Sequence, residues 1–246
     1  MKNNYTFNIN GFEVNATYSS RSVESIFLPL LKKWTDMQKA RGKRIIIFLS
    51  APPATGKTTL AHFLEMLSRT HEGITQIQAL GLDGFHYHQR YIETHSVTVD
   101  GVSVPMRKIK GAPETFDVRA FKEKLTRLRR EDVLWPIYDR RLHDVVEDAV
   151  RVSESILLIE GNWLLFDGGE WSELKAYCDD SIFISAEPRV LEERLIDRKI
   201  LGGMSRDDAE RFCRESDLKN VRLLSDHRHD ANIELYMDEK GEYFIK

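Results

Sequence analysis

The chain has 246 residues, 41% of them hydrophobic and 10% aromatic, enough to bury roughly 70–75% of the unfolded surface, which excludes intrinsic disorder and a disulfide-stapled mini-protein. Its 36 Lys and Arg against 39 Asp and Glu leave a formal net charge of −3, so no global positive field recruits nucleic acid or anionic lipid, and any anion site must be local. Two cysteines, Cys178 and Cys213, make no disulfide framework and lack zinc-ligand spacing, which fits a reducing, cytoplasmic setting. The densest apolar stretch, Ile45 to Leu49, is far short of the roughly 20 residues that span a bilayer, and the amino terminus lacks a signal-peptide pattern, so no membrane attachment is expected.

Tyr5, Phe7 and Ile9 alternate with polar residues, Asn10-Gly11 follows, and Phe12, Val14, Ala16 and Tyr18 alternate again. This predicts a hairpin closed by a type I′ turn. From Ser22 to Ala40, Val23, Ile26, Phe27, Leu30, Leu31 and Trp34 recur at helical spacing, with Pro29 expected to bend or split the helix. Arg44 to Ser50 is apolar without alternation, as in a strand covered on both faces of a parallel sheet. Ile77 to Leu82, Val133 to Ile137, Ile156 to Ile159 and Ile182 to Ile184 are comparable, separated by helical patterns such as Leu60-Leu64-Leu67 and Phe121-Leu125-Leu128. The pattern predicts an α/β fold built of βαβ units: a parallel sheet flanked by helices.

Pro188 opens a helix that Gly202-Gly203 stops, and Ser205 with Asp208 starts the next in a capping box. Ile233, Leu235 and Met237, then Tyr243-Phe244-Ile245, predict a closing hairpin. The expected organisation is a single domain over 1–246: an N-terminal hairpin and helix (1–43), a core (44–187), a helical lid with the following helix (188–224) and a C-terminal hairpin (225–246).

Between the first core strand and helix lies Ala51-Pro52-Pro53-Ala54-Thr55-Gly56-Lys57-Thr58-Thr59, which matches G-x-x-x-x-G-K-[ST] except that Ala51 replaces the first glycine. Gly56 lets the backbone approach an anion, the loop and helix amides point at phosphate, and Lys57 reaches the β- and γ-oxygens. Ala54, Thr55, Gly56, Lys57, Thr58 and Thr59 are therefore the candidate ATP-binding residues, with Thr58 placed to hold Mg²⁺. Asp83 ends a predicted buried strand in Leu82-Asp83-Gly84-Phe85-His86, where a carboxylate can take a hydroxyl proton or hold Mg²⁺. Glu160 ends another apolar strand at Glu160-Gly161, in the place where a second acid meets the Mg²⁺ shell.

These motifs, with Lys110-Gly111-Ala112-Pro113-Glu114-Thr115-Phe116-Asp117, Pro136-Ile137-Tyr138-Asp139 and Ile159-Glu160-Gly161-Asn162-Trp163-Leu164-Leu165, resemble the uridine kinase, phosphoribulokinase and type I pantothenate kinase superfamily. The likeness runs from about Arg44 to Asn220 and is nearest to the pantothenate-kinase-like and fructose-kinase-like branch. The resemblance implies an ATP-dependent kinase in which Asp83 activates the acceptor hydroxyl, Glu160 is an acidic metal-side residue, and Tyr138, Arg140 and His143 line the acceptor pocket. The chain departs from that pattern at His86-Tyr87-His88-Gln89 and in an extra segment, Ser96 to Val104, read as an Asp100-Gly101 hairpin. The acceptor pocket is therefore expected to be reshaped, and pantothenate is not carried over.

Residues 189–222 hold seven Arg and two Lys against eight acids, so they form no basic track. Arg194 and Arg198 share a helix face opposite Leu191 and Leu195 and can project toward one phosphate, unless the helix is merely solvated and salt-bridged. The resemblance implies lid arginines that neutralise the transferring phosphoryl group, with Arg206 in reserve. His86 is expected to hydrogen-bond the acceptor. His88, His227 and His229 are expected at the surface, and a transition-metal reading of the paired histidines is set aside for lack of soft ligands. Segment Ser225 to Ala231 is expected beside the nucleotide base.

The expected partner is a small-molecule hydroxyl acceptor, without nucleic acid or membrane, and a homodimer is a possible assembly. A nucleotide-dependent regulatory ATPase and a nucleic-acid end kinase are the competing classes. The absence of an Asn-Lys-x-Asp motif argues against a GTPase.

Overall fold

The computed structural model describes residues 2–9, 12–99 and 101–246. Strands β1 (Lys2–Ile9) and β2 (Phe12–Ser19) pair antiparallel with Ile9 opposite Phe12, giving the expected hairpin. Its Asn10-Gly11 turn lies outside the described residues, as does Asp100 of the second expected turn. A helical run follows through α1 (Ser20–Ser22), a π turn (Val23–Phe27) and α2 (Leu28–Arg41). Pro29 falls at the start of α2, directly after the π turn, where its missing N–H costs least.

The central sheet has the order β12-β11-β10-β3-β9-β4, formed by β3 (Ile45–Ser50), β4 (Ile77–Gly81), β9 (Ile156–Gly161), β10 (Asp180–Ala186), β11 (Ile233–Met237) and β12 (Tyr243–Ile245). All pairs are parallel except β11–β12. In β3, Ile45, Ile47 and Leu49 pack into one apolar cluster and Ile46 and Phe48 into another, so the strand has no polar face. The first cluster includes α2, α3 (Lys57–Thr70) and Tyr18 of β2; the second includes α5 (Val118–Leu128), Trp135 and Trp163. Leu60, Leu64 and Leu67, like Phe121, Leu125 and Leu128, are buried as their spacing predicts.

One expectation changes. Val133 to Ile137 is not a core strand: β7 (Val133–Asp139) pairs antiparallel with β8 (Asp144–Val152) in a separate hairpin. Pro136 cannot donate to a ladder, the register shifts between Trp135 and Ile137, and Leu134 is exposed, as fits a bulged ribbon rather than a buried strand. The closing hairpin is present as β11 and β12, and β11 also extends the core sheet beside β10.

Between β4 and β7 lie α4 (Gln89–Thr94) and the hairpin of β5 (Ser96–Val99) and β6 (Val102–Pro105), the expected extra segment. After β10 come α6 (Pro188–Leu201), then α7 (Arg206–Phe212), a π turn (Cys213–Asp217) and α8 (Leu218–Asp226). The Ser205 hydroxyl accepts from the Asp208 amide at 3.2 Å and donates to its carboxylate at 2.7 Å, which is the capping interaction the sequence predicts. Leu191 and Leu195 of α6 pack on Cys213 and Val221, so the lid helices share a small core of their own. Among the described residues no helix is long and apolar enough to cross a membrane.

Candidate active site

The phosphate loop runs from the carboxyl end of β3 into α3. Gly56, at φ 78°, ends the loop as the residue before the helix, leaving the first amides of α3 without side-chain caps and free to bind an anion. The loop is braced from within and behind: the Thr55 hydroxyl donates to the Pro52 carbonyl at 2.9 Å, and the Tyr243 hydroxyl donates to the Thr55 carbonyl at 3.4 Å. Lys57, Thr58 and Thr59 form the first turn of α3.

The parallel register brings the two acidic strand ends beside that turn. Gly81 of β4 is level with Glu160 of β9. The Thr58 hydroxyl donates to Glu160 Oε1 at 2.9 Å, and Glu160 is 6% exposed. Asp83 follows β4 in a single 3₁₀ turn, Leu82–Phe85. That turn presses on β7 so closely that a Cβ on Gly84 would lie 2.1 Å from the Pro136 carbonyl oxygen, so only glycine fits between Asp83 and Phe85. Trp135 Nε1 donates to the Gly81 carbonyl at 2.9 Å and fixes the same junction.

Electrostatics tie these groups together. Burial lowers the Lys57 ammonium from its ordinary value, opposed by Glu160 and Asp83 and reinforced by Arg198 and Arg140. Burial raises the Glu160 carboxyl, opposed mainly by the charge of Lys57. Desolvation lowers the Arg198 guanidinium, Arg140 lowers it further, and Asp217 and Asp83 oppose. Asp217 is itself 2.9 Å from Lys199 Nζ. The charges of Arg140 and Arg198 thus disfavour one another.

The acceptor-side residues are only partly gathered. The His86 ring lies on Phe116 with centroids 3.7 Å apart, and its Nδ1 is 2.9 Å from the Asp83 carbonyl oxygen. Burial lowers its pKa, favouring a neutral ring. Tyr138 is close by, its ring centre 5.6 Å from that of His86, and its hydroxyl accepts from Lys110 Nζ at 2.8 Å. Arg140 and His143 stand exposed in the turn joining β7 to β8. Of the lid arginines, Arg194 Nη1 lies 3.2 Å from Met237 Sδ and 3.4 Å from the Ala54 carbonyl oxygen, away from the neighbours of Arg198. Arg206 pairs with Glu210 at 3.5 Å on the surface.

A cleft of about 310 Å³ opens at this junction, lined by Thr58, Asp83, Tyr138 and Glu160 and also by Asn8 and His62. Sequence reasoning missed three residues here. His62 is one helical turn beyond Thr58, a spacing that could have revealed it. Lys110 lies within a motif already quoted, whereas nothing local marks Asn8. In the segment expected beside the base, the His229 amide donates to the Leu165 carbonyl at 2.8 Å, its Nε2 lies 2.9 Å from the Ser172 carbonyl oxygen, and the residue is half-buried rather than at the surface.

The donors suit a hard divalent cation. A threonine hydroxyl and a buried carboxylate are joined at 2.9 Å beside Asp83, and all three offer oxygen. Among the described residues no group of three or more His, Cys, Asp or Glu is placed to hold a metal ion.

A phosphate loop at the carboxyl end of a parallel strand, with two acidic strand ends facing it, defines a P-loop kinase site. The chain belongs to the P-loop kinases of the uridine kinase, phosphoribulokinase and type I pantothenate kinase superfamily, and it is an enzyme of the phosphotransferase class. It is 41% identical over 236 residues to the uncharacterized protein YggC of Escherichia coli, covering 96% of each chain. It is 25% identical over 207 residues to the pantothenate kinase of Enterococcus faecalis, covering 75% of this chain and 64% of that one. Among solved structures, a candidate fructose transport system kinase from Silicibacter superposes with a TM-score of 0.72 at 30% identity, over 83% of this chain and 98% of the other. No family model matches the chain.

Proposed function

We propose that the chain transfers the γ-phosphoryl group of Mg·ATP to a hydroxyl of a small metabolite. The observation that carries this reading is the junction of Thr58 with Glu160 beside Asp83, at the mouth of a cleft large enough for a small metabolite. Lys57 and the loop amides hold the β- and γ-phosphates. Thr58 and Glu160, with Asp83 next to them, hold Mg²⁺, which supplies charge neutralisation on the phosphate oxygens when bound. Asp83 orients the acceptor hydroxyl and takes its proton. The acceptor oxygen then bonds to the γ-phosphorus as the bond to the β–γ bridging oxygen breaks, and ADP leaves. Arg198 and Arg140 face the charge that develops on the transferred group, and Arg194 braces the loop from the lid.

His86 and Tyr138, with Lys110 on the Tyr138 hydroxyl, orient the acceptor. The relatives named above support sugars and pantothenate-like alcohols as the classes to try first, and the uridine kinase likeness adds nucleosides. The test is ADP release from Mg·ATP across such a panel, beside Lys57→Ala. A compound that raises turnover above background in the wild type and not in the variant names the acceptor. Tight ATP binding with no responsive compound would instead favour a regulatory ATPase.

A further inference from the structure

Ala54 lies in the phosphate loop at φ 68°, in the left-handed region where an L residue is crowded and glycine is not. The other described non-glycine residues at positive φ, His143 and Asp148, are exposed in the β7–β8 hairpin. Ala54 differs from them because its side chain has a destination. Its methyl packs against the lid core of Leu191, Leu195, Cys213 and Val221. Its carbonyl oxygen lies 3.4 Å from Nη1 of Arg194, on the same α6 helix as Leu191 and Leu195.

A strained backbone is thus retained at a residue whose one side-chain carbon touches the lid. A glycine would suit the backbone and lose that contact. We propose that Ala54 is a positioning residue: its methyl ties the phosphate loop to α6, so that phosphates seated on the loop set the position of the lid arginines. The proposal rests on the kinase reading in one respect, that the loop takes Mg·ATP. Phosphate seating can shift the lid only through a contact that changes as the lid moves, and the Ala54 methyl against the lid core is such a contact.

The test compares wild type, Ala54→Gly and Ala54→Ser, with a non-hydrolysable ATP analogue and Mg²⁺ as the probe. Three quantities are read: apo melting temperature, analogue affinity by calorimetry, and analogue-induced hydrogen-exchange protection of residues 188–226. Ala54→Gly is expected to melt no lower than wild type, to bind the analogue more weakly by about the factor of the lost coupling, and to lose about fivefold or more of the lid protection, the lower end of ordinary coupling strengths. Ala54→Ser, which keeps the β-carbon, is expected to retain it. Wild-type lid protection in Ala54→Gly would overturn the proposal. So would a lower melting temperature that accounts for the lost protection, because the methyl would then be ordinary packing. A wild type that fails to bind the analogue removes the kinase reading itself and this proposal with it; binding by the wild type separates the two.

Discussion

The Thr58 hydroxyl donates to Glu160 Oε1 at 2.9 Å, joining residues 102 positions apart at the meeting of α3 and β9. Neither residue reaches this geometry alone. Thr58 is placed by the turn that follows Gly56, and Glu160 by the register that sets Leu49 of β3 opposite it. The bond therefore reports that the phosphate loop and the central sheet are assembled in one relative position.

Glu160→Gln tests the metal side of that bond. Burial holds the Glu160 carboxyl above its ordinary range. A carboxyl raised on folding contributes stability that is present below its unfolded pKa and is lost as pH rises through the folded one. Mg·ATP requires the charged form, so its affinity should move the opposite way and strengthen as pH rises through the same window. The glutamine variant should lose both trends while binding Mg·ATP more weakly at neutral pH. Calorimetric titrations at several pH values would check this, and an unchanged affinity profile would remove Glu160 from the metal shell.

Asp83→Asn separates binding from chemistry. The variant keeps the 3₁₀ turn and its size but cannot accept the hydroxyl proton. Phosphoryl transfer should fall by about 10²–10⁴, the usual worth of a positioned general base, while ATP affinity stays within a few-fold. Unchanged turnover in single-turnover kinetics would move the base elsewhere.

Trp34 and Asp180 give a stability test remote from the site. Trp34 is fully buried and its Nε1 donates to Asp180 Oδ2 at 2.8 Å, with Lys33 on the same oxygen at 2.7 Å. Trp34→Phe leaves a buried carboxylate short of one donor, at a cost of about 1–3 kcal/mol. At roughly 2–4 °C per kcal/mol for a domain this size, melting should drop by several degrees without loss of ATP binding. A shift below one degree would show that Lys33 alone satisfies the carboxylate.

Both cysteines should be chemically quiet. Burial pushes the Cys178 and Cys213 thiols up to about 11, so neither is a thiolate near neutral pH. Alkylation at pH 8 should be slow in the native protein and fast for both thiols in denaturant. Rapid labelling of Cys213 under native conditions would mean that the lid helices open frequently.

The site was more legible in the sequence than the sheet's edges were. Gly56-Lys57-Thr58 opens the helix after the first core strand, and Asp83 and Glu160 lie at the carboxyl ends of strands, so local pattern alone located them, and parallel pairing then brought Thr58 and Glu160 together. Arg194 and Arg198 share a helix face, yet their neighbours differ, because Arg194 is caught by Met237 and the Ala54 carbonyl, contacts that no spacing rule encodes. Val133 to Ile137 was misread because its apolar content outweighed Pro136, the one residue that marks a bulged ribbon. Asn8 reaches the cleft only through the docking of the first hairpin, which depends on Tyr18 stacking on Phe63 at 4.1 Å.

The hydroxyl of Tyr243 resting on the carbonyl of Thr55 bears on how the chain matures during synthesis. A nascent chain halted at Asp226 already carries every candidate catalytic residue. It lacks β11, the partner of β10, and it lacks the tyrosine beneath the phosphate loop. Because long-range parallel pairing forms late and slowly, tight nucleotide binding is expected only after β11 has joined the sheet. Competence to bind nucleotide should arrive abruptly, once residues 233–243 have cleared the ribosome and closed the sheet.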